Sequence, residues 1–474
     1  MSAKVTFERG FGATPRGRRG LLRSSLITTL GILLTGTVIP SARPQEPLRR
    51  VTLEQALQMF EENNLELRLV TAERSAAAGL ARQARAYPNP VATVTHEGLS
   101  ESGADYSESY FLASQRLEWP GRRDGRIATS DGEAALARTR ADAEHLRLTF
   151  EVKRSFLEAA AAEEQLLVIE EVRDVFRFAE ESARQRLLEG DLSGYDARRL
   201  RIERARYENL AAFETIALRN ARLLFASLIL SDSSSEETSN IAPAAVPEGS
   251  PPPLPDLDEE AALERAFERR AEMRSAEAQI AAAEASLRHR SSLRYPDVTL
   301  TGGYKRQSDG LDGFFVGASL PVPLFDQKQG DVEAAEARLR SATARLALTQ
   351  RTIVNDVRRT LSTRHSLSER AALIRDELLR GVDDLLQIAR VSYRQGEMSL
   401  LELLDAAEAY RESQIALSEL KTELWVRHYD LERAIGGVLN PPAGAESPEG
   451  EPRGWGPAAM NEVPSTNIAL EDQQ

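Results

Sequence analysis

The chain has 474 residues, of which 28% are charged, with a formal net charge of −13 and no cysteine. The acidic balance argues against a nucleic-acid partner, since phosphate binding rests on clustered Lys and Arg, though it suits a conduit for cations. Without cysteine there are no disulfides, no thiolate metal sites and no lipidated N-terminal cysteine, and five scattered histidines (His96, His145, His289, His365, His428) keep no ligand spacing, so neither a metal site nor a cofactor is expected.

At the N-terminus, Arg16, Arg18, Arg19 and Arg23 precede an apolar stretch from Leu26 to Ile39 and the small pair Ser41-Ala42. That is the layout of a secretory signal peptide, residues 1–42, with cleavage after Ala42. Arg18-Arg19 bears some likeness to a twin-arginine signal, but the general export route is expected. The stretch is broken by Thr28, Thr29, Gly31, Thr35, Gly36 and Thr37 and falls short of the roughly 20 apolar residues that span a bilayer. No later segment reads as a transmembrane helix, so a membrane would be crossed as strands.

From Val51 to Ala86 the composition is helical, and Pro88 disfavours helix in the residue before it. The alternating run from Val91 to His96 and the stretch from Tyr110 to Leu117 predict a strand pair over 91–117. Beyond Gly121 no proline interrupts the chain until after Glu189, which allows a helix of roughly 100 Å at 1.5 Å per residue. Leu146, Phe150, Leu157, Ala161, Val168, Val172, Val175 and Ala179 form its apolar stripe, in three- and four-residue steps that keep no strict heptad. Gly190 to Gly194 breaks the run, and a second helix is predicted from Tyr195 to Leu228. Residues 231–258, rich in Ser, Glu and Pro, read as a surface linker. A helix from Glu259 to Ser291, a strand pair over 297–321, a helical run from Gly330 to Gln395, a break at 396–399 and a return helix from Ser399 to Ile435 follow. The tail, 441–474, is rich in Pro, Gly and Glu and reads as disordered.

The same plan is thus written twice, about 205 residues apart. Tyr87-Pro88-Asn89-Pro90 is answered by Tyr295-Pro296-Asp297, and the stretch from Arg186 to Ser193 by that from Tyr393 to Ser399. The repeats cover 51–230 and 259–440. Each strand has about 10 residues, enough to cross a bilayer when tilted. Four strands cannot close a barrel and an open sheet edge cannot sit in lipid, so the chain must assemble with copies of itself, and three copies give twelve strands. The expected fold class is mainly α with a small β part, a long α-helical barrel plus a transmembrane β-barrel built from a trimer. The alternative is a soluble coiled coil whose strand pairs are loop hairpins.

Asn89-Pro90 at the first strand, Gln115-Arg116-Leu117-Glu118-Trp119-Pro120-Gly121-Arg122-Arg123 with Arg126 after the pair, and Tyr393-x-x-Gly396-x-x-Ser399-Leu400-Leu401-Glu402-Leu403-Leu404-Asp405-Ala406 resemble the TolC family of outer-membrane efflux proteins. Within it the motifs look most like the CzcC-like cation-efflux branch, over roughly residues 51 to 440. The resemblance implies a homotrimer in outer-membrane lipid with a large periplasmic part. Its closed end would dock on a periplasmic adaptor (membrane fusion) protein, itself bound to an inner-membrane pump of the proton-driven resistance-nodulation-division type. Carried over position by position, Glu402 and Asp405 would form acidic rings at the gate, and Asp196 would face Tyr393 across the two helical hairpins. Glu402 replaces the family's more usual aspartate, and Met398 stands where a lock arginine often sits. Gly190, Asp191, Leu192 and Ser193 at one tip, with Gly396, Glu397, Met398 and Ser399 at the other, would meet the adaptor.

The same residues have a simpler reading. Ser193-x-x-Asp196 and Ser399-x-x-Glu402 carry capping-box spacing, in which hydroxyl and carboxylate take the unpaired N–H groups of a helix start. Asp405 lies too far into the helix to cap it, so it is a pore-facing acid or an ordinary surface one. Acids crowded in a narrow ring would repel one another and favour cations. No P-loop and no nucleophile with a positioned base is written in the chain, so it is not expected to be an enzyme. The function expected is an outer-membrane exit duct of a tripartite efflux system for metal cations. The alternatives are the same duct serving drug efflux or type I protein secretion, a soluble periplasmic coiled-coil adaptor and, most remotely, an envelope hydrolase.

Overall fold

A computed structural model describes residues 48–101, 104–190, 192–231, 240–247, 251–252, 257–378 and 382–437. The export segment, Asp191, much of the 231–258 stretch and the 441–474 tail therefore lie outside the described residues. The chain begins with strand β1 (Arg49–Val51), helix α1 (Leu53–Asn63) and helix α2 (Leu65–Ala84), then strands β2 (Val91–Glu101) and β3 (Ala104–Leu117). Helix α3 (Arg122–Glu189) runs 68 residues unbroken and α4 (Gly194–Ile229) returns along it. Strand β4 (Ile241–Pro243), helices α5 (Glu259–Arg269) and α6 (Ala271–Ser292), strands β5 (Val298–Gln307) and β6 (Asp312–Ser319), and helices α7 (Gln329–Leu378), α8 (Val382–Gln395) and α9 (Leu400–Ala434) complete the order.

Three expectations need correction. The single helices expected over 51–86 and 259–291 are each interrupted by one extended residue, Asn64 (φ −62°, ψ 127°) and Arg270 (φ −66°, ψ 126°). Both are buried, and their side chains make the break tolerable. The Asn64 carboxamide accepts from the Leu67 amide at 2.8 Å and donates to the Leu228 carbonyl at 2.8 Å, while Arg270 pairs with Glu272 at 2.8 Å and Asp356 at 3.4 Å. The 231–258 stretch is not wholly a surface linker. Its β4 pairs in parallel with β1, and Ile241 and Val246 are buried with Val51, Phe60, Phe156 and Phe225 in one apolar core. Lastly, the buried stripe of α3 includes Leu148, Val152, Phe156, Ile169 and Phe176, whereas Leu146, Phe150 and Val168 are only half-buried. The stripe is wider than a single face because α3 packs against α2, α4, α6 and α9 together. Gly132 serves that crowding, since a Cβ there would lie 2.9 Å from the Ala282 backbone of α6.

The four strands form one antiparallel sheet in the order β2-β3-β5-β6, which leaves one edge of β2 and one of β6 without a partner among the described residues. Strand alternation divides its side chains between two faces. In register on one face stand Ala92, Val94, Phe111, Ala113, Leu117, Val298, Leu300, Tyr304, Phe314, Val316 and Ala318, an apolar surface in which Val94, Phe314 and Val316 are strongly exposed. The other face carries Thr93, Thr95, Glu97, Glu108, Tyr110, Ser114, Arg116, Thr301 and Lys305. There Glu108 accepts from Tyr106 at 2.5 Å, Tyr110 at 2.6 Å, Gln307 at 2.5 Å and Lys305 at 2.9 Å. Glu97, Glu108, Arg116 and Lys305 thus share one side of the sheet, while Asp105, Arg306 and Asp312 on the apolar side stand only at its loop end.

Sheet and helices are joined where β3 becomes α3. Asp297 accepts the Trp119 amide at 2.9 Å and pairs with Arg122, Trp119 stacks on Tyr295 with ring centroids 5.4 Å apart, and Arg126 pairs with Glu118. Both side chains of the Arg122–Asp297 pair are nearly buried, at 12% and 10% exposure. Removing one partner strands the other charge, so Asp297→Ala is expected to cost about 3 kcal/mol. Asp297→Asn, which keeps an acceptor for the Trp119 amide, should cost less. Thermal unfolding of the detergent-extracted protein followed by circular dichroism measures both.

Candidate functional site

The far ends of the helical hairpins bring most of the tip and gate residues together. In the first hairpin α3 stops at Gly190, which takes φ 85°, a conformation costly for any residue with a Cβ, and Ser193 caps α4 by accepting the Asp196 amide at 3.1 Å. In the second, Gly396 takes φ 79° after α8, and Ser399 caps α9. The two caps differ. Glu402 closes a full capping box, its carboxylate accepting the Ser399 amide and hydroxyl at 2.7 Å each. Asp196, shorter by one methylene, reaches only the Ser193 hydroxyl at 2.7 Å, so the capping box expected at Ser193 is half-formed.

Packing and side-chain hydrogen bonds hold the hairpins to each other. Ile169, Val172 and Phe176 of α3, Leu200 and Tyr207 of α4, Leu386 and Tyr393 of α8, and Leu403, Ala407 and Tyr410 of α9 belong to one buried cluster, with Leu192 and Met398 from the tips packed against it. Tyr207 donates to Glu408 at 2.8 Å, and Tyr410 donates to Glu171 at 2.7 Å. Arg411 and then Tyr207 hold the Glu408 carboxyl below its ordinary value, and burial and the Glu408 bond push the Tyr207 phenol up. Sequence reasoning missed these bonds. Their only signal is a tyrosine within an apolar stripe otherwise of Ala and Leu, a position where a buried hydroxyl needs a partner from another element.

Tyr393 is buried, and its hydroxyl has no hydrogen-bond partner among the described residues. Burial raises its pKa; nearby Arg186 opposes the shift and Asp196 adds to it. Asp196 is therefore close enough to be felt by Tyr393 across the hairpins, but its own hydrogen bond goes to Ser193. Arg186 reaches over from α3, its guanidinium carbon 6.0 Å from the Tyr393 ring. Asp405 is exposed, on the opposite side of α9 from Leu403 and Ala407, and shares a cleft of ≈ 330 Å³ with Arg199, Glu203 and Arg206 of the first hairpin. Glu402 and Asp405 stand three residues apart, neighbours on one helical surface. Among the described residues no cluster of His, Asp and Glu could hold a metal ion.

The sequence profile of the outer membrane efflux protein family matches residues 262–437. The chain is 24% identical over 415 residues to the cobalt-zinc-cadmium resistance protein CzcC of Cupriavidus metallidurans, covering 85% of this chain and 94% of that protein. To the nickel-cobalt-cadmium resistance protein NccC of Alcaligenes xylosoxydans xylosoxydans it is 27% identical, covering 70% and 73%. Its fold is that of the Campylobacter jejuni CmeC outer membrane channel, with a TM-score of 0.70 at 15% identity over 81% of this chain and 85% of that one.

The Ser399 amide and hydroxyl hold Glu402 below the ordinary carboxylate value of 4.5. A carboxylate so lowered stabilises the tip at any pH above that ordinary value, and its contribution is lost as the pH falls through the lowered one. Hydrogen exchange of the Ser399 amide should therefore quicken below about pH 4.5 relative to the rest of α9. Glu402→Gln, which still accepts the amide proton, should remove that pH dependence.

Proposed function

From the match of residues 262–437 to the outer membrane efflux protein family, we infer that the chain works as the exit duct of a three-part exporter. Three copies close one barrel through the outer membrane. A periplasmic adaptor grips the helical tips, and an inner-membrane pump, of the proton-driven resistance-nodulation-division type, supplies the energy. The observation that carries this reading is the two-faced sheet with bare edges on β2 and β6, apolar on one side and polar on the other. A face of exposed Val94, Phe314 and Val316 suits hydrocarbon, whereas Glu108, Lys305 and Arg116 need a wet lumen. Within the duct, repeats 51–230 and 259–440 each contribute one strand pair and one helical hairpin.

Metal cations are the cargo favoured by the resistance names of CzcC and NccC and by the net charge of −13. Glu402 and Asp405 would ring the aperture at the tips. Six carboxylates in a narrow passage repel one another and lower the barrier for cations over anions. Tyr207–Glu408 and Tyr410–Glu171 would be the contacts that part when the hairpins separate. Tyr393 and Asp196 lie between them and the tips, and Gly190 to Ser193 with Gly396 to Ser399 form the adaptor's footing.

Membrane fractionation followed by electrophoresis without heating tests the assembly. A detergent-stable trimer in the outer-membrane fraction is expected, and a soluble periplasmic monomer would overturn the duct. Reconstituted into planar bilayers, Asp405→Asn should lower the cation-to-anion permeability ratio, and Glu402→Gln with it more so. An unchanged ratio in both variants would remove the acids from the aperture.

A further inference from the structure

The repeat leaves two matching vacancies at the sheet-to-helix level. Inside the chain, the segment that follows β3 is seated on the second repeat: Trp119 lies on Tyr295, and Asp297 takes its amide and Arg122. The corresponding segment after β6, Pro321 to Asp326, has no such seat. Its apolar side chains point away from the described chain, with Leu324 71% and Phe325 93% exposed. The corresponding seat in the first repeat, Tyr87-Pro88-Asn89, has no such occupant among the described residues: Tyr87 is 72% exposed, with the Arg123 guanidinium 4.3 Å from its ring, and opens on a cleft of ≈ 530 Å³ lined by Leu80, Ala84 and Asn89 on one hand and Arg116, Arg126 and Glu133 on the other. The helices behind them repeat the pattern. α6 packs against both α3 and α7, whereas its counterpart α2 packs chiefly on α3 and leaves Leu69 and Leu80 exposed.

We propose that the Pro321–Asp326 segment of a second copy of this chain seats in the Tyr87–Asn89 cleft, with Leu324 and Phe325 against Tyr87 and Leu80. The internal junction is the template, since a chain that repeats itself meets its neighbour as its halves meet each other. The chemistry of the two sides also changes together. Asn89 replaces Asp297 in the seat, and Gln327, three residues before Gly330, replaces Arg122, three residues before Gly125. A buried ion pair within the chain thus becomes an amide pair between chains. Neither side is then left with an unpaired charge before assembly. The seat lies beside the bare edges of β2 and β6, so it would align those strands as they pair. The inference rests on the trimeric duct reading above, but places a contact that reading does not require.

The chain has no cysteine, so introduced pairs report contact directly. Full-length protein carrying Tyr87→Cys with Phe325→Cys, or Asn89→Cys with Gln327→Cys, would be oxidised with copper phenanthroline in outer-membrane preparations. Covalent dimers and trimers that vanish on reduction are expected from at least one pair, with each single-cysteine parent remaining monomeric on denaturing gels. Stable trimers on unheated gels without a cross-link from either pair would overturn the seat and leave the duct intact. A monomeric unsubstituted chain would overturn both. Should the paired variants fail to assemble, Phe325→Ser is compared with Leu311→Ser at the exposed β5–β6 turn. A lower trimer dissociation temperature for Phe325→Ser alone supports the seat, and equal temperatures overturn it.

Discussion

A peptide group in hydrocarbon bonds chiefly to another peptide group, and the sheet of this protein is arranged around that constraint. The sheet β2-β3-β5-β6 satisfies the interior strands and leaves two edges bare. A single chain of this kind is an unfinished object in a membrane, since each unpaired group would cost several kcal/mol there. The apolar face and the bare edges therefore belong to one argument. The face calls for lipid, and lipid forbids the edges. On the opposite face Glu108 is shared by two tyrosines, a glutamine and a lysine.

The helical part answers a different requirement, which is to carry two long hairpins in register with each other. Length comes from α3, 68 residues with no proline, which meets α2, α4, α6 and α9. The register between the hairpins comes from contacts of limited strength. A tyrosine hydroxyl bonded to a carboxylate is worth roughly 1.5 to 3 kcal/mol, enough to register two hairpins and small enough to be broken by a partner. The tips are sharply defined, with left-handed glycines ending α3 and α8 and serine hydroxyls starting α4 and α9.

Much of this was legible in residue order because the relevant signals are local. Helix, strand and turn follow from proline and glycine placement, and the duplication needs only comparison of the chain with itself. The capping at Ser399 and Glu402 was legible for the same reason, as three residues of spacing decide it. The Ser193 cap was read too generously, because spacing does not register that aspartate is one methylene short. The breaks at Asn64 and Arg270 were not legible at all. Each depends on a distant acceptor or counter-charge, the Leu228 carbonyl or Asp356, that makes an extended residue affordable.

By itself, then, the sequence determined the element order, the twofold repeat, the strand lengths and the acidic residues at the helix starts, all of which are properties of short windows and their recurrence. Only the tertiary structure decided that β1 and β4 pair across nearly 200 residues, that Asp297 locks Trp119 and Arg122, and that Tyr207 and Tyr410 bond across the hairpins. These are contacts between side chains far apart in the chain. Their partners are chosen by the register of long helices and strands, and a small change of register, invisible in composition, would choose others.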